Sequence, residues 1–188
     1  MRETIRYDAD GRQIESHYDN DTNGTTDEST WYTYNAAGQL VSIEYDHDGD
    51  GAVDEAYYYS IDKGGNTTVR EHDADGDGTA DAIITYTYDT DGVLVSLDSD
   101  EDGDGTVDTE YTYTYSEDGV LTERLAVDAD SGGAVEIITY SWSADGLTYV
   151  VEEDLDADGV VDETTTHTLN EDGQTAVSYT HLTLPTST

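Results

Sequence analysis

Short segments of the chain alternate apolar and polar residues with a period of two. In 84–88 and 111–115, tyrosine or isoleucine alternates with threonine. A period of two with one apolar face is typical of a β-strand that is buried on one side, and these residue types have high β propensity. No segment has the spacing of apolar residues that an amphipathic helix requires. The pattern predicts an all-β chain.

The strand-like segments recur every 27 residues, and two series of glycines mark the reversals between them. The first series is Gly11, Gly38, Gly65, Gly92, Gly119, Gly146 and Gly173, and the second is Gly24, Gly51, Gly78, Gly105, Gly132 and Gly159. Because the two series alternate, each repeat has room for two segments of strand length. We expect an elongated repeat array of antiparallel hairpins, with about six 27-residue units, over residues 1–176. A two-sheet parallel β-roll is the alternative fold.

Aromatic side chains occupy the same places in successive repeats. One column consists of Tyr32, Tyr59, Tyr86, Tyr113, Tyr140 and His167, and threonine or serine fills the opposite face. We expect these tyrosines to form a thin core whose hydroxyls reach its edge, because a slender sheet cannot bury phenylalanine fully. A platform on which carbohydrate rings stack is the alternative interpretation.

The second reversal of each repeat is an acidic nine-residue loop. Four loops follow the pattern D-x-D-x-D-G-x-x-D, and a fifth loop has asparagine in the fifth place. The predicted side-chain ligands are Asp19, Asp21, Asn23 and Asp27; Asp46, Asp48, Asp50 and Asp54; Asp73, Asp75, Asp77 and Asp81; Asp100, Asp102, Asp104 and Asp108; and Asp154, Asp156, Asp158 and Asp162. Backbone carbonyls in the seventh place add Thr25, Ala52, Thr79, Thr106 and Val160. Four strict copies at constant spacing are too many to result from acidic composition alone.

This spacing predicts calcium sites. Calcium takes about six to eight oxygen ligands, which four side chains and one carbonyl of each loop would supply, and glycine in the sixth place permits the sharp turn. Magnesium prefers strict octahedral geometry, and softer metals are normally bound through His or Cys. We therefore expect about five Ca²⁺ ions. A sixth loop, with Asp128, Asp130 and Glu136 as candidate ligands, fits the pattern only with one residue inserted before it.

The charge of the chain indicates which partners to expect. The formal net charge is −39, from 45 Asp and Glu against 6 Lys and Arg. Such a charge repels nucleic acid and anionic lipid, and no apolar run is long enough to cross a bilayer. The absence of cysteine excludes disulfides and Cys-ligated metal centres. The five histidines share no catalytic motif, so we expect no enzymatic activity. The expected partner is calcium, with no nucleic acid and no membrane insertion.

Two sets of motifs resemble known families. The acidic loops resemble the calcium loops of thrombospondin type-3 repeats and of integrin α-subunit propellers, in which such a loop joins two antiparallel strands. The stretches between the loops, such as Tyr7-Asp8 before Gly11 and Tyr88-Asp89 before Gly92, resemble the YD repeats of bacterial Rhs-type proteins. The Rhs resemblance, over residues 5–176, implies a secreted or surface-exposed protein whose repeats build a long, coiling antiparallel β-strip.

From these features we expect a calcium-binding structural repeat segment of a secreted or cell-surface bacterial protein, rigidified by Ca²⁺. The alternatives are part of a Rhs/YD-type toxin shell and a carbohydrate-binding adhesion module. Beyond calcium, the implied partners are neighbouring repeats or domains of a longer chain, with glycans in the adhesion alternative. Residues 177–188 break the repeat pattern, and we interpret them as a non-native tail that arose by adaptor read-through or as a cloning scar.

Overall fold

The computed structural model of the protein describes residues 1–170 and 172–182. These residues form fourteen β-strands and no helix, which confirms the all-β prediction. The described part of the chain accordingly contains no helix that could cross a membrane. The last six residues of the predicted tail, 183–188, lie outside the described residues.

The first structural unit comprises Met1–Gly92 and Ser99–Thr106. Its strands are β1 (Arg2–Tyr7), β2 (Gln13–Asp19), β3 (Glu28–Tyr34), β4 (Leu40–Asp46), β5 (Glu55–Ile61), β6 (Thr67–Asp73) and β7 (Ala82–Tyr88). From β1 to β7, each strand pairs in antiparallel fashion with the next one along the chain.

The second unit comprises Val93–Asp98 and the described residues from Val107 onward. Its strands are β9 (Thr109–Tyr115), β10 (Leu121–Asp128), β11 (Ala134–Trp142), β12 (Thr148–Asp154), β13 (Glu163–Leu169) and β14 (Thr175–Leu182), while β8 (Leu94–Asp100) contributes residues to both units. Consecutive strands from β9 to β14 are again antiparallel. The repeat array of antiparallel hairpins is thus confirmed, and the parallel β-roll is wrong.

The strand bounds follow the predicted period. β3, β5, β7 and β9 begin at residues 28, 55, 82 and 109, which are 27 residues apart. The described residues contain seven pairs of strands rather than about six units, because β1 and β14 add a pair to the count. β14 runs from Thr175 to Leu182 and pairs with β13, so the strand extends into the segment interpreted as a tail.

A side-chain oxygen closes the short turns between the strands. In the turn after β3, Oδ1 of Asn35 accepts a hydrogen bond from the N–H of Gln39 at 3.1 Å, and Gly38 has a φ of 83°. In the turn after β5, Oδ1 of Asp62 accepts a hydrogen bond from the N–H of Asn66 at 2.9 Å. An Asn or Asp acceptor followed by a glycine with positive φ is the turn chemistry that the sequence predicts.

Tyrosine hydroxyls link strands that an acidic loop joins. The hydroxyls of three tyrosines donate hydrogen bonds of 2.8–3.0 Å to a backbone carbonyl 21 residues earlier; the pairs are Tyr34 with Gln13, Tyr88 with Thr67, and Tyr115 with Leu94. In each case the bond lies at the end of the strand pair that is remote from the acidic loop. The loop and the tyrosine therefore secure the two ends of one pair of strands.

The most enclosed side chains are small or acidic, which differs from the expected tyrosine core. The enclosed apolar residues in the described part of the chain are Ala56, Ala126, Ile138 and Val151. The tyrosine column is half-buried, whereas Asp46 and Asp73 are each only 2% exposed. Rings standing on the face of a sheet keep one side in water, while short side chains are covered completely by their neighbours.

Candidate metal centres

Each acidic loop begins at the last residue of one strand and leads into the antiparallel neighbour of that strand. Asp19 ends β2, Asp46 ends β4 and Asp73 ends β6. On the other side of the Asp46 loop, the N–H of Asp54 donates to the carbonyl of Tyr45 at 2.7 Å. The sheet therefore holds the first and ninth residues of the loop close to each other across its base.

Backbone N–H groups orient the carboxylates in the first place of the loops. Oδ2 of Asp46 accepts a hydrogen bond from the N–H of Gly51 at 3.0 Å, and Oδ2 of Asp73 accepts one from Gly78 at 2.9 Å. The corresponding bonds in the loops after β2 and β12 are 3.0 and 2.8 Å long. Gly78 has a φ of 88°, a conformation that glycine adopts without steric cost.

The other carboxylates of the Asp46 loop also accept backbone hydrogen bonds. Oδ1 of Asp48 accepts from the N–H of Asp50 at 3.1 Å, and Oδ1 of Asp50 accepts from Ala52 at 2.7 Å. Oδ2 of Asp54 accepts from the N–H of His47 at 2.7 Å. Because an ionised carboxylate has about four acceptor sites, each of these side chains keeps acceptor capacity for a cation.

The residues predicted to offer seventh-place carbonyls take part in the same network. Their N–H groups donate to the side-chain oxygen in the fifth place at 2.7–2.8 Å; these residues are Thr25, Ala52, Thr79 and Val160, and Thr106 in the first unit does the same. The backbone of the seventh place therefore lies beside the fifth-place ligand in every strict loop and in the asparagine-containing one.

Four loops that lie within a single unit each bring three acidic side chains together. One carboxylate oxygen from each side chain lies within 4.8 Å of the others; the groups are Asp19, Asp21 and Asp27; Asp46, Asp48 and Asp50; Asp73, Asp75 and Asp81; and Asp154, Asp156 and Asp162. In the three strict loops, the fourth predicted carboxylate lies outside the group: Asp54, Asp77 and Asp158. Every donor is a carboxylate oxygen, which is the donor type that calcium and magnesium prefer.

The loop that begins at Asp100 contributes residues to both units. In the first unit, Oδ2 of Asp100 accepts from the N–H of Gly105 at 2.9 Å, and Oδ1 of Asp102 accepts from Asp104 at 3.2 Å. The donors and acceptors of these two bonds occupy the same loop places as those in the Asp46 loop. Asp108, the predicted ninth-place ligand, belongs to the second unit.

The sixth candidate loop has a different structure. Glu136 lies inside β11 and forms an ion pair with Arg124 of β10. Oδ1 of Asp128 accepts a hydrogen bond from the N–H of Ser131 at 2.7 Å. Asp128, Asp130 and Glu136 are not among the acidic groups that the described residues bring together. Glu136 stands 27 residues after the first residue of β9, so it occupies a strand place of the repeat, and β11 already begins at Ala134.

Two enclosed carboxylate oxygens have no hydrogen-bond partner in the described part of the chain. They are Oδ1 of Asp73 and Oδ1 of Asp100, on side chains that are 2% and 6% exposed. An enclosed carboxylate oxygen without a partner is unfavourable, because it has lost its hydration without replacement. A cation in the loop would supply the missing interaction, so the donor set and the enclosure both fit a hard divalent ion.

Threonine side chains keep two of the fifth-place carboxylates acidic. The hydroxyl of Thr79 donates to Oδ1 of Asp77, and its N–H donates to the same oxygen at 2.8 Å. These bonds lower the pKa of Asp77, and equivalent bonds from Thr106 lower the pKa of Asp104. Both side chains are therefore ionised at neutral pH, as cation binding requires.

Sequence reasoning missed a cluster around Glu55. Its carboxylate oxygens lie 3.0 Å from Nε2 of His47 and 3.0 Å from Nε2 of His72, and one accepts a hydrogen bond from the Tyr57 hydroxyl at 2.9 Å. The hydrogen bond with His47 is the main cause of the lowered pKa of Glu55. The imidazole of His72 also stacks on the Tyr57 ring, with centroids 4.4 Å apart. The register of β5 and β6, which pairs Tyr57 with His72, is the signal that could have revealed this cluster.

Comparisons with known proteins show a similarity of fold to solved structures. No family model matches the chain, and no curated protein matches it. Among solved structures, TcdB2-TccC3-Cdc42 is similar at 17% identity with a TM-score of 0.55, over 93% of this chain and 11% of that chain. TcdB2-TccC3-TEV covers 96% of this chain and 13% of its own at 15% identity, with a TM-score of 0.32. The first similarity concerns the backbone and shows a shared β-rich fold.

Proposed function

We propose that the chain is part of the β-strip shell of a Rhs/YD-type toxin protein. The observation that carries this proposal is the backbone similarity to TcdB2-TccC3-Cdc42 over 93% of the chain. This chain spans about a tenth of the length of that chain, since it covers 11% of it. The role in a shell is thus a proposal drawn from a match to a small part of a much longer chain.

The hairpin chemistry supports this assignment. In the YD resemblance, tyrosine and aspartate are adjacent at a turn, and each has a structural role here. The hydroxyl of Tyr88 bonds to the carbonyl of Thr67, and Oδ1 of Asp89 accepts the N–H of Asp91 at 2.9 Å in the turn that follows. Asn35 and Asp62 close the corresponding turns in other repeats. The turn therefore requires a side-chain oxygen that accepts a hydrogen bond, which either asparagine or aspartate supplies. Repeats that contact mainly their neighbours can be added in large numbers, as a shell wall requires.

Electron microscopy of the natural gene product that contains these residues tests the shell proposal. We expect the repeats to form the wall of a hollow particle that shields an enclosed polypeptide from added protease. The same polypeptide, fused outside the repeats, is the control and should be digested at its usual rate. Repeats that form an open strut, with every other domain digested freely, would overturn the proposal.

Calcium binding by the acidic loops is a second candidate function. The observation in its favour is the enclosed, unpartnered Oδ1 of Asp73 beside the carboxylates of Asp75 and Asp81. A site that is exposed to about ten times its dissociation constant of free ion gains about 1.4 kcal/mol, so about five sites would add about 7 kcal/mol. That amount is comparable with the stability of a whole domain, about 5–15 kcal/mol. Calcium would therefore stiffen the wall.

Thermal unfolding with calcium, with magnesium and with chelator tests this candidate. We expect calcium to raise the melting temperature strongly and magnesium to raise it less. Asp75→Asn should reduce the calcium effect, whereas Asp91→Asn removes the same charge from a short turn of the same unit and should leave it intact. Melting curves that are identical with calcium and with chelator would exclude a stabilising role for the ion.

The remaining expectations stay predictions. The absence of enzymatic activity, the location outside the cell, and the binding of glycans all require direct measurement.

A further inference from the structure

Consecutive acidic loops of the first unit touch each other through a glycine in the fourth place of the loop. A Cβ added to Gly76 would overlap the carbonyl oxygen of Val53 and lie 3.0 Å from Cα of Asp54. The same is true of Gly49, which meets the backbone of Thr26 and Asp27 in the preceding loop. Gly103 likewise meets the backbone of Ala80 and Asp81. The fourth place of one loop is thus packed directly on the eighth and ninth places of the loop before it.

Two of the five complete acidic loops have a residue other than glycine in the fourth place, and they explain why the other three have glycine. Thr22 and Ala157 occupy the fourth place with φ values of 61° and 53°, so a Cβ is compatible with the turn itself. The Thr22 loop is the first in the chain, and the loop before Ala157 is the degenerate one at Asp128. Among the five complete loops, glycine is therefore found where another complete acidic loop precedes. Close approach between loops, and not the turn alone, accounts for this pattern.

The packed backbone belongs to predicted ligands on both sides of the contact. Asp54 closes its own loop, where its Oδ2 accepts the N–H of His47 at 2.7 Å. Gly76 stands between Asp75 and Asp77, which are ligand candidates of the next loop. Asp27 and Asp81 belong to the acidic groups of their own loops, so an ion that fixes either of them also fixes the surface on which Gly49 or Gly103 rests. That contact reduces the conformational freedom that the next loop must lose when its own ion binds.

We propose that Gly49, Gly76 and Gly103 couple the acidic loops of the first unit, so that divalent ions bind to them as a cooperative series, while the Asp154 loop binds its ion independently. This inference rests on the calcium function proposed above. The unpartnered oxygens of Asp73 and Asp100 give two of the coupled loops a feature that points to a ligand. Coupling through packed backbone comes in addition to the relief of repulsion between neighbouring acidic loops, which salt screens.

Calorimetric titration of the whole chain with calcium tests this coupling. High salt screens the charge repulsion, so the cooperativity that remains comes from the contacts between loops. For the wild type we expect a group of ions that bind with a Hill coefficient above one, together with one independent ion. Coupling of ordinary size changes affinity by about five-fold or more. Gly76→Ala should therefore weaken the cooperative group by about five-fold and lower its Hill coefficient, without removing a ligand.

Gly119→Ala is the matched control for the backbone substitution. Gly119 has a φ of 77° in a short turn, with no atom within 4 Å of an added Cβ, so alanine there introduces the same backbone strain without a contact between loops. We expect this variant to leave the calcium titration unchanged. An equal loss of cooperativity in Gly119→Ala and Gly76→Ala would overturn the proposal, because strain alone would then account for the effect.

A pair of ligand substitutions keeps the proposal testable if Gly76→Ala does not fold. Asp46→Asn should weaken the binding of the ions that remain in the first unit by about five-fold, whereas Asp154→Asn should remove one ion and leave the others unchanged. If Asp46→Asn also removes one ion without affecting the rest, the coupling is wrong and the calcium function stands. If the wild type takes up no ion at all, the calcium function fails, and the coupling fails with it.

Discussion

At the scale of single residues, the hairpins depend on a few side-chain hydrogen bonds that recur with the repeat. The tyrosine hydroxyl at the end of a strand and the oxygen-bearing side chain of the short turn are adjacent in sequence and act on different partners. At the end of β3, the hydroxyl of Tyr34 donates to the carbonyl of Gln13 in β2, and Oδ1 of the adjacent Asn35 accepts the N–H of Gln39 in its own turn. Because each bond joins a side chain to a backbone group near the end of a strand, its loss should be visible in stability.

Replacing a linking tyrosine by phenylalanine should destabilise the first unit. Tyr88→Phe removes the hydroxyl that donates to the carbonyl of Thr67 at 2.9 Å, and a net loss of about 0.5–1.5 kcal/mol is expected. Tyr86→Phe, two residues earlier on the same face, has no such bond among the described residues and is the control. Urea unfolding of both variants measures the difference. Equal stability of the two variants would mean that the hydroxyl does not link the strands.

The aspartate-closed turns should make stability depend on acid. The N–H of Asn66 donates to Asp62 and lowers the pKa of that carboxyl below its ordinary value of 3.8. A carboxyl with a lowered pKa stabilises the fold above its ordinary value and loses that contribution as the pH falls through the folded-state pKa. Asp62→Asn keeps the acceptor, as Asn35 does naturally, and removes the titration.

Melting temperatures of the wild type and of Asp62→Asn between about pH 5 and about pH 2 test this expectation. The wild type should lose more stability than the variant on acidification. A difference between the two proteins that does not change with pH would show that the carboxylate contributes nothing beyond its role as an acceptor.

At the scale of elements, each pair of strands is held by an acidic loop at one end and has little apolar burial between its ends. Ala56, which is fully enclosed in β5, lies opposite Asp73 in β6. The equivalent places in other repeats carry Ser29 and Ile83. Where this place is enclosed it holds a small residue, Ala56 or Ser29, so packing there positions the first-place carboxylates more than it adds hydrophobic stability.

Enlarging Ala56 should therefore strain the strand that leads out of the Asp46 loop. Ala56→Val is expected to destabilise the first unit by about 1–3 kcal/mol, because a fully enclosed site has no room for two more methyl groups. Thr85→Val on the exposed face of β7 is the control and should have little effect. Equal effects of the two substitutions, measured by denaturant unfolding, would contradict the packing assigned to Ala56.

At the scale of the whole molecule, charge opposes folding. The formal net charge is −39, and about five calcium ions would reduce it by about ten. Mutual repulsion at this density destabilises the folded state and is screened by salt. The stability of the chain should thus depend on its ionic surroundings.

Salt should consequently stabilise the chain more in chelator than in calcium. Raising potassium chloride from about 0.05 M to about 0.5 M shortens the screening length from about 14 Å to about 4 Å. We expect a clear rise in the melting temperature in chelator and a smaller rise in calcium, since the bound ions would already neutralise part of the charge. The same salt dependence in both conditions would indicate that no ion enters the loops.

The local chemistry of this protein could be predicted from its sequence alone. The period of 27 residues, the strands, the turns and the acidic groups in the loops depend on residues that are close along the chain, so their spacing is sufficient to reveal them. Contacts between repeats were decided only by the tertiary structure. Gly76 packs on Val53, the Tyr88 hydroxyl reaches Thr67, and Asp73 is enclosed because strand register brings distant residues together. The sixth candidate loop has no such acidic group, because β11 begins at Ala134 and the Glu136 side chain pairs with Arg124 of β10.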